Sequence, residues 1–420
     1  MRPVRLKAIF AYPAAHVVAV LYGLLDSSVW IASYGFADGG GHFSLYYMVA
    51  VPCKVAILLV FIGTARPRRA ILLWSFCLPI CVTILASILM GQAGFDGVLQ
   101  PVGVLVSLAL TVMVLSDQNV GLYMKAFGLS CLLACATFLF QVNFVPLNSD
   151  NGVWELSGRY TFIYGTQPNL GGEVLFSGFV AFCIARLNIT LLVAIFVLFF
   201  VSLNLLESRA AMLSILLAFS FYIYAEKMRR FSPASRMAVI ASLALIAAML
   251  LLFETQRISD MFLLNDQYRG IGTGYVGRED RWENAWNIFT QSPIFGVGFS
   301  YFRVGGSLSP HSMWFGMLSI MGLMSVFLII SMIQNCRRVF AANTTMFWLL
   351  ASFLPMTIFN DRFLNLNPYP FLMFVILFMS RKALAAGHLP EHFDTSALKS
   401  NESGNLRASP ELIGGNFNDV

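Results

Sequence analysis

The chain has 420 residues, of which 58% are hydrophobic and only 11% charged, against about 25% charged in an ordinary soluble domain. With a mean hydropathy of +0.74, one soluble core cannot absorb that apolar surface, so a lipid bilayer has to act as solvent. The formal charge of +6 is therefore no sign of nucleic-acid binding, and where the cations sit matters more than their sum.

Taken in order, Met1 to Ala8 carries Arg2, Arg5 and Lys7, and an apolar run follows to about Ser33. That run is too long for a removed signal peptide and lacks a small-residue cleavage site, so it reads as a retained first span. Further apolar segments fall near 43–63, 70–91, 97–115, 119–142, 173–187, 188–206, 210–225, 237–253, 312–334, 346–359 and 368–380. Several are shorter than the roughly 20 residues of a straight span. The pattern predicts an all-α polytopic membrane protein of about twelve transmembrane helices. Residues 1–386 form its membrane domain, and 387–420, polar and aperiodic, read as a disordered cytoplasmic tail.

The distribution of basic residues supports that layout. Starting from a cytoplasmic N-terminus, eighteen basic residues fall on the inner side, and Lys54 is left inside a span. Eight fall on the outer side: Arg159, Arg209, Arg257, Arg269, Arg278, Arg281, Arg303 and Arg362. All eight are arginine, whose planar fork of donors matches phosphate oxygens two at a time. Scarcity of lysine throughout the chain accounts for the same observation, and composition alone does not separate the two readings.

Two outer loops are long, about 143–172 and 254–311, and rich in Trp, Tyr, Phe, Gly and Pro. That composition favours folded loops resting on the membrane surface over disordered ones. The second holds GREDRWENAWNIFTQSPIFGVG, a short amphipathic helix closed by Pro293 and the Gly296/Gly298 pair. Trp282, Ala285, Trp286 and Phe289 recur at helical spacing on one side, with Glu279, Asp280, Glu283 and Asn284 largely on the other. Such a helix lies flat at the headgroup boundary; it is either an interfacial anchor alone or a holder of Arg278 and Arg281 at phosphate depth.

Arg209 sits where a short turn meets the next span, a costly place unless it is paired or faces a polar cavity. Glu207 offers a local ion pair. His311 begins the tenth span, as an interfacial polar residue or as a proton acceptor. Asp26 and Lys54 lie within the first two spans and are expected to pair as structural glue, although intramembrane charge also raises a transport reading. Seven cysteines lie in or just beyond apolar runs, which argues against a disulfide framework. Cys77/Cys81 and Cys131/Cys135 read as packing residues, not a metal pair. There is no P-loop, no His-Glu-x-x-His and no convincing Ser-His-Asp set.

Together these pieces resemble the O-antigen ligase and O-antigen/exopolysaccharide polymerase superfamily of bacterial inner-membrane proteins. The resemblance rests on Gly277-Arg278, Trp282 and Pro293-Ile294-Phe295-Gly296-Val297-Gly298, then His311 with Gly322 in the following helix. Ser208-Arg209-Ala210-Ala211 and the earlier Arg159, Gly165, Pro168 and Asn169 complete it. Ser312 stands where Asn is common, and the interval from Arg159 to Pro168 is one residue longer than usual.

The resemblance implies a GT-C-like architecture with the large periplasmic loop between spans 9 and 10, in the cell inner membrane with both termini cytoplasmic. It implies metal-independent, cofactor-free transfer of a glycan from an undecaprenyl-pyrophosphate donor to an acceptor hydroxyl, either lipid A core (ligase type) or another lipid-linked repeat (polymerase type). Arg209, Arg278 and Arg159 would then grip the pyrophosphate, with Arg281 and Asn169 as accessory residues and His311 as the catalytic residue. An imidazole, titrating near about 6.5 in water, suits acceptance of the hydroxyl proton. A lipid-linked saccharide transporter is the competing class. It predicts more charge within the spans and broken helices repeated in two halves.

Overall fold

In the computed structural model, residues 6–28, 45–61, 67–91, 95–115, 119–148, 153, 155–156, 159–163, 167–227, 232, 278–299, 310–359 and 368–378 are described. The chain divides into two compact units, Met1–Ala385 and Ala386–Val420. The second unit, with the tail expected to be disordered, lies outside the described residues, as does the apolar segment near 237–253.

Among its described residues, the first unit is almost wholly helical. Its helices are α1 (Leu6–Ser27), α2 (Leu45–Phe61), α3 (Pro67–Leu89), α4 (Phe95–Val114), α5 (Val120–Phe144), α6 (Pro168–Ile184), α7 (Ile189–Leu205) and α8 (Arg209–Tyr222). After them come α9 (Arg278–Gln291), α10 (Met313–Met321), α11 (Met324–Ala342), α12 (Thr344–Ala351), α13 (Leu354–Phe359) and α14 (Pro368–Phe378). A π-helical turn, Ile223–Lys227, extends α8. Two short antiparallel strands, β1 (Glu155–Leu156) and β2 (Arg159–Tyr160), pair Leu156 with Arg159. The segments Val120–Phe144, Arg209–Glu226 and Met324–Ala342 are long and apolar enough to cross a membrane, and several shorter apolar helices accompany them. This is the make-up of a polytopic membrane protein.

Large apolar side chains face outward at helical spacing: Leu129, Leu133 and Phe140 on α5, and Val193, Val197 and Val201 on α7. Lipid tails solvate such faces as well as a protein core does, so burial alone gives little drive for helix association. Close backbone approach takes over. A Cβ on Gly23 would lie 2.5 Å from the Tyr123 carbonyl oxygen, and one on Gly128 would lie 2.7 Å from the Phe182 ring. A Cβ on Gly178 would overlap Cys131. Cys131 is thus a packing residue on the α5–α6 seam, and Cys135 meets Ser202 of α7 with 3.2 Å between Sγ and Oγ.

Asp26 and Lys54 do pair. Their charged atoms are 2.6 Å apart and both side chains are buried. Tyr123 donates to Asp26 (2.7 Å), Lys54 donates to the Ser107 hydroxyl (3.0 Å), and the Lys54 ammonium stands 4.1 Å from the centre of the Phe371 ring. Tyr22 donates to the Ser107 carbonyl at 2.7 Å. The knot ties α1, α2, α4, α5 and α14 through groups that would each be costly alone in an apolar phase.

Four boundaries differ from expectation, each for a backbone reason. Helix α6 starts at Pro168 instead of 173, because proline suits a first helical position; the end of the expected loop is therefore helical. The segment expected at 312–334 breaks at Gly322, where φ 57° and ψ −139° leave the helical region. The segment expected at 346–359 starts at Thr344, capped by the Asn343 side chain (3.1 Å to the Met346 N–H). It breaks at Ser352–Phe353 because the Pro355 ring clashes with a continuous helix running through it.

Candidate functional site: cations at helix starts

Four residues singled out in the sequence stand at the beginnings of helices. Arg209 opens α8, Arg278 is the first residue of α9, Asn169 is the second of α6, and His311 precedes Ser312, the N-cap of α10. A helix start presents N–H groups without intrahelical partners and a partial positive charge. An arginine there adds to that field instead of offsetting it, at a cost of roughly 0.3–1 kcal/mol. The combination is unfavourable for the helix and favourable for an anion.

Arg209 is held by a tight α7–α8 turn. Glu207, at φ 49°, donates its N–H to the Asn204 carbonyl (3.0 Å), while the Ser208 N–H reaches Leu203 (3.2 Å). This Schellman closure satisfies the end of α7. Ser208, at φ −85° and ψ 77°, is the centre of an inverse γ-turn that the Arg209 N–H closes onto the Glu207 carbonyl (3.1 Å). A Cβ on Gly172 would overlap the Ser208 hydroxyl, so the start of α6 lies directly against this turn. Glu173, the next residue of α6, is fully buried.

Arg278 is half-buried at the start of α9. Loss of hydration pushes its pKa below the ordinary guanidinium value, and the charges of Arg209 and then Arg281 push the same way. Residues more than sixty positions apart in sequence therefore share one electrostatic neighbourhood. The Arg278 Cζ stands 5.0 Å from the centre of the Phe359 ring, at the end of α13.

Helix α9 docks on α10. Trp282 stacks on Phe315, with centroids 5.6 Å apart and planes 17° from parallel, and Ala285 and Ile288 are buried beside it. Trp286, expected on the same stripe, is 49% exposed. The inward face thus centres on Ala285 and Ile288, with Trp282 on it and Trp286 turned away from it.

The Pro-x-x-Gly-x-Gly run that follows has a clear backbone role. The break between α10 and α11 leaves carbonyls and N–H groups without helical partners, and such groups are costly away from water. The Val297 N–H donates to Ser319 (3.0 Å), the Gly298 N–H to Ile320 (3.0 Å), and the Leu323 N–H returns to Pro293 (2.8 Å). Gly296 and Gly298 have φ 68° and 79°, and a Cβ on Gly296 would overlap the Ile320 backbone. The glycine run is a plug for a broken helix, and it fixes α9 against α10.

His311 is half-buried and has φ 50°, an uncommon conformation outside glycine. It stands two residues before α10, the helix that packs on α9 through Phe315. Arg281 lies one turn beyond Arg278 and is half-buried; Asn169 is also half-buried. Arg159 pairs through its backbone in β2, and its side chain lies outside the described residues. So do Arg257, Arg269, Arg303 and Arg362. Among the described residues, no group of three or more His, Cys, Asp or Glu side chains is placed to hold a metal ion.

Sequence reasoning passed over Phe359 and Glu173, both inside or beside segments read only as apolar. A lone carboxylate opening an apolar run was the available signal for Glu173. For Phe359 there was none.

Residues 194–330 match the family model described as O-antigen ligase. That stretch contains Arg209, Arg278, Arg281, His311 and Gly322, whereas Arg159, Asn169 and Phe359 lie outside it. No curated protein matches the chain.

Proposed function

We propose that this chain, assigned to the O-antigen ligase superfamily by residues 194–330, transfers a glycan from an undecaprenyl-pyrophosphate donor to an acceptor hydroxyl on the non-cytoplasmic side of the inner membrane. The family supports a glycosyl-transfer role in polysaccharide biosynthesis. The donor, the sidedness and ligase-type transfer in preference to repeat polymerisation are our reading. The observation that carries it is the crowding of Arg278 by Arg209 and Arg281 in a partly dehydrated place. Like charges gathered at helix starts, where the backbone N–H groups add a field of the same sign, favour an anion beside them.

The chemistry follows from charge. A sugar pyrophosphate has a good leaving group once cations neutralise the negative charge that grows on it as the glycosidic bond breaks. Arg209 and Arg278 supply that neutralisation, with Arg159, Arg281 and Asn169 as further contacts, and no metal is required by the scheme. His311 accepts the proton of the attacking hydroxyl. Attack at the anomeric carbon from the side opposite the pyrophosphate inverts its configuration.

The test is reconstitution of the full chain with an undecaprenyl-pyrophosphate glycan, scoring release of undecaprenyl pyrophosphate with lipid A core or a second lipid-linked repeat as acceptor. Release dependent on the core acceptor supports the ligase reading, and release dependent on the second repeat assigns a polymerase. Movement of intact donor across the bilayer without bond cleavage overturns both in favour of a transporter.

A further inference from the structure

An arginine that must hold a diphosphate needs a partner that does not compete for it. A carboxylate would take the in-plane N–H edge of the guanidinium, the same edge that phosphate oxygens use. An aromatic ring takes the face instead, through its negative quadrupole, and leaves the five in-plane donors open. Phe359 stands in that relation to Arg278, 5.0 Å from ring centre to Cζ.

The ring is itself well anchored. Pro355, Met356 and Thr357 of α13 are buried, and the Thr357 hydroxyl donates to the Leu354 carbonyl at 2.8 Å. Just before α13, Phe353 makes an edge contact with Phe176 of α6 at 4.8 Å. Helix α13 also packs on α8 and α10. It is thus fixed to the helices that begin with Arg209 and Asn169 and to the one that follows His311. Arg278 belongs to none of these; it arrives on α9, and the charges of Arg209 and Arg281 work to push it away.

We propose that Phe359 is a positioning residue that holds the Arg278 guanidinium by its face, in register with Arg209, so that its N–H edges address the pyrophosphate of the donor. The proposal rests on the pyrophosphate reading above. Phe359 touches no reacting atom and acts through Arg278.

The experiment replaces Phe359 in the full chain by fluorinated phenylalanines of near-native shape, together with F359L, F359Y and F359W. Binding of undecaprenyl pyrophosphate and the KM and kcat of transfer are measured. Stepwise fluorination drains the ring quadrupole without emptying the space, so a merely structural role would leave binding unchanged. The expected result is a graded weakening of binding that reaches about 3- to 10-fold, with kcat/KM falling at least as far because Arg278 also meets the charge of the departing pyrophosphate, and retention of affinity in F359W and F359Y. In an R278A background, fluorination at 359 should have no further effect. Unchanged affinity across the fluorinated series overturns the proposal, as does equal weakening with and without Arg278. If R278A itself binds undecaprenyl pyrophosphate as the wild type does, the pyrophosphate reading falls, not only the role of Phe359.

Discussion

Two places in this molecule hold charge among apolar helices, and they are built on opposite principles. Around Asp26 and Lys54 the charges are opposite, 2.6 Å apart and fully buried, with Tyr123 and Ser107 completing the shell. Around Arg278, among the described residues, Arg209 and Arg281 act on it with its own sign, and burial is partial. A closed pair of opposite sign satisfies itself and ties helices together. A half-buried gathering of like charge is where we propose that an anion is held. The contrast separates glue from a binding place more clearly than the presence of charge alone.

The sharpest way to break this comparison is mutation of the residues proposed to act on the donor and the acceptor. H311A and R278A are each expected to lower transfer by about 100-fold or more, as loss of a general base or of a transition-state charge partner does, with membrane abundance unchanged. Glycan transfer assayed beside immunodetection of the protein checks both halves, and wild-type transfer in either variant defeats the assignment.

At the closed pair the expected effects invert. K54A strands a buried carboxylate and should cost about 3–5 kcal/mol of stability, read as loss of folded protein in the membrane. The double variant D26L/K54M removes both charges together and should recover most of that loss, with near-normal transfer per molecule. A double variant as damaged as the single one would show that the pair does more than hold helices.

The glycine plug is expected to show a smaller effect. G296A forces a side chain onto the Ile320 backbone at a positive φ and should destabilise the α9–α10 contact by roughly 1–3 kcal/mol. The reading is a lower melting temperature together with easier proteolysis within 278–299.

The smallest expected effect is also the most direct. Undecaprenyl pyrophosphate should raise the melting temperature of the wild type, by mass action on the folded state. Added salt should weaken the shift, because partly exposed cations are screened. R278A should show little of it. D26L/K54M should show all of it.

Much of this organisation was legible along the chain. Apolar runs marked where helices form, because hydrophobic length is a local property. Asp26 and Lys54 were expected to pair because nothing else in their spans neutralises them. Arg209 and His311 stood out because polar residues at the edge of apolar runs are costly, and Arg278 because it opens an amphipathic helix within a long outer loop. Helix breaks were harder to see. Gly322 reads as an ordinary helix glycine until its φ is known, and the purpose of Pro293 to Gly298 appears only when their N–H groups are found on Ser319 and Ile320.

Composition and the order of its apolar segments determined by themselves that the chain is helical and needs a lipid solvent, since a helix is the way one apolar segment satisfies its own backbone groups. They also determined which cations stand at the rims of helices. Only the tertiary structure decided which rims meet. Arg278 feels Arg209 from across more than sixty residues of chain, and Phe359 arrives beneath it from beyond the matched domain. Distance in space is set by how helices pack, and packing depends on many side chains at once, so no single stretch of sequence carries it.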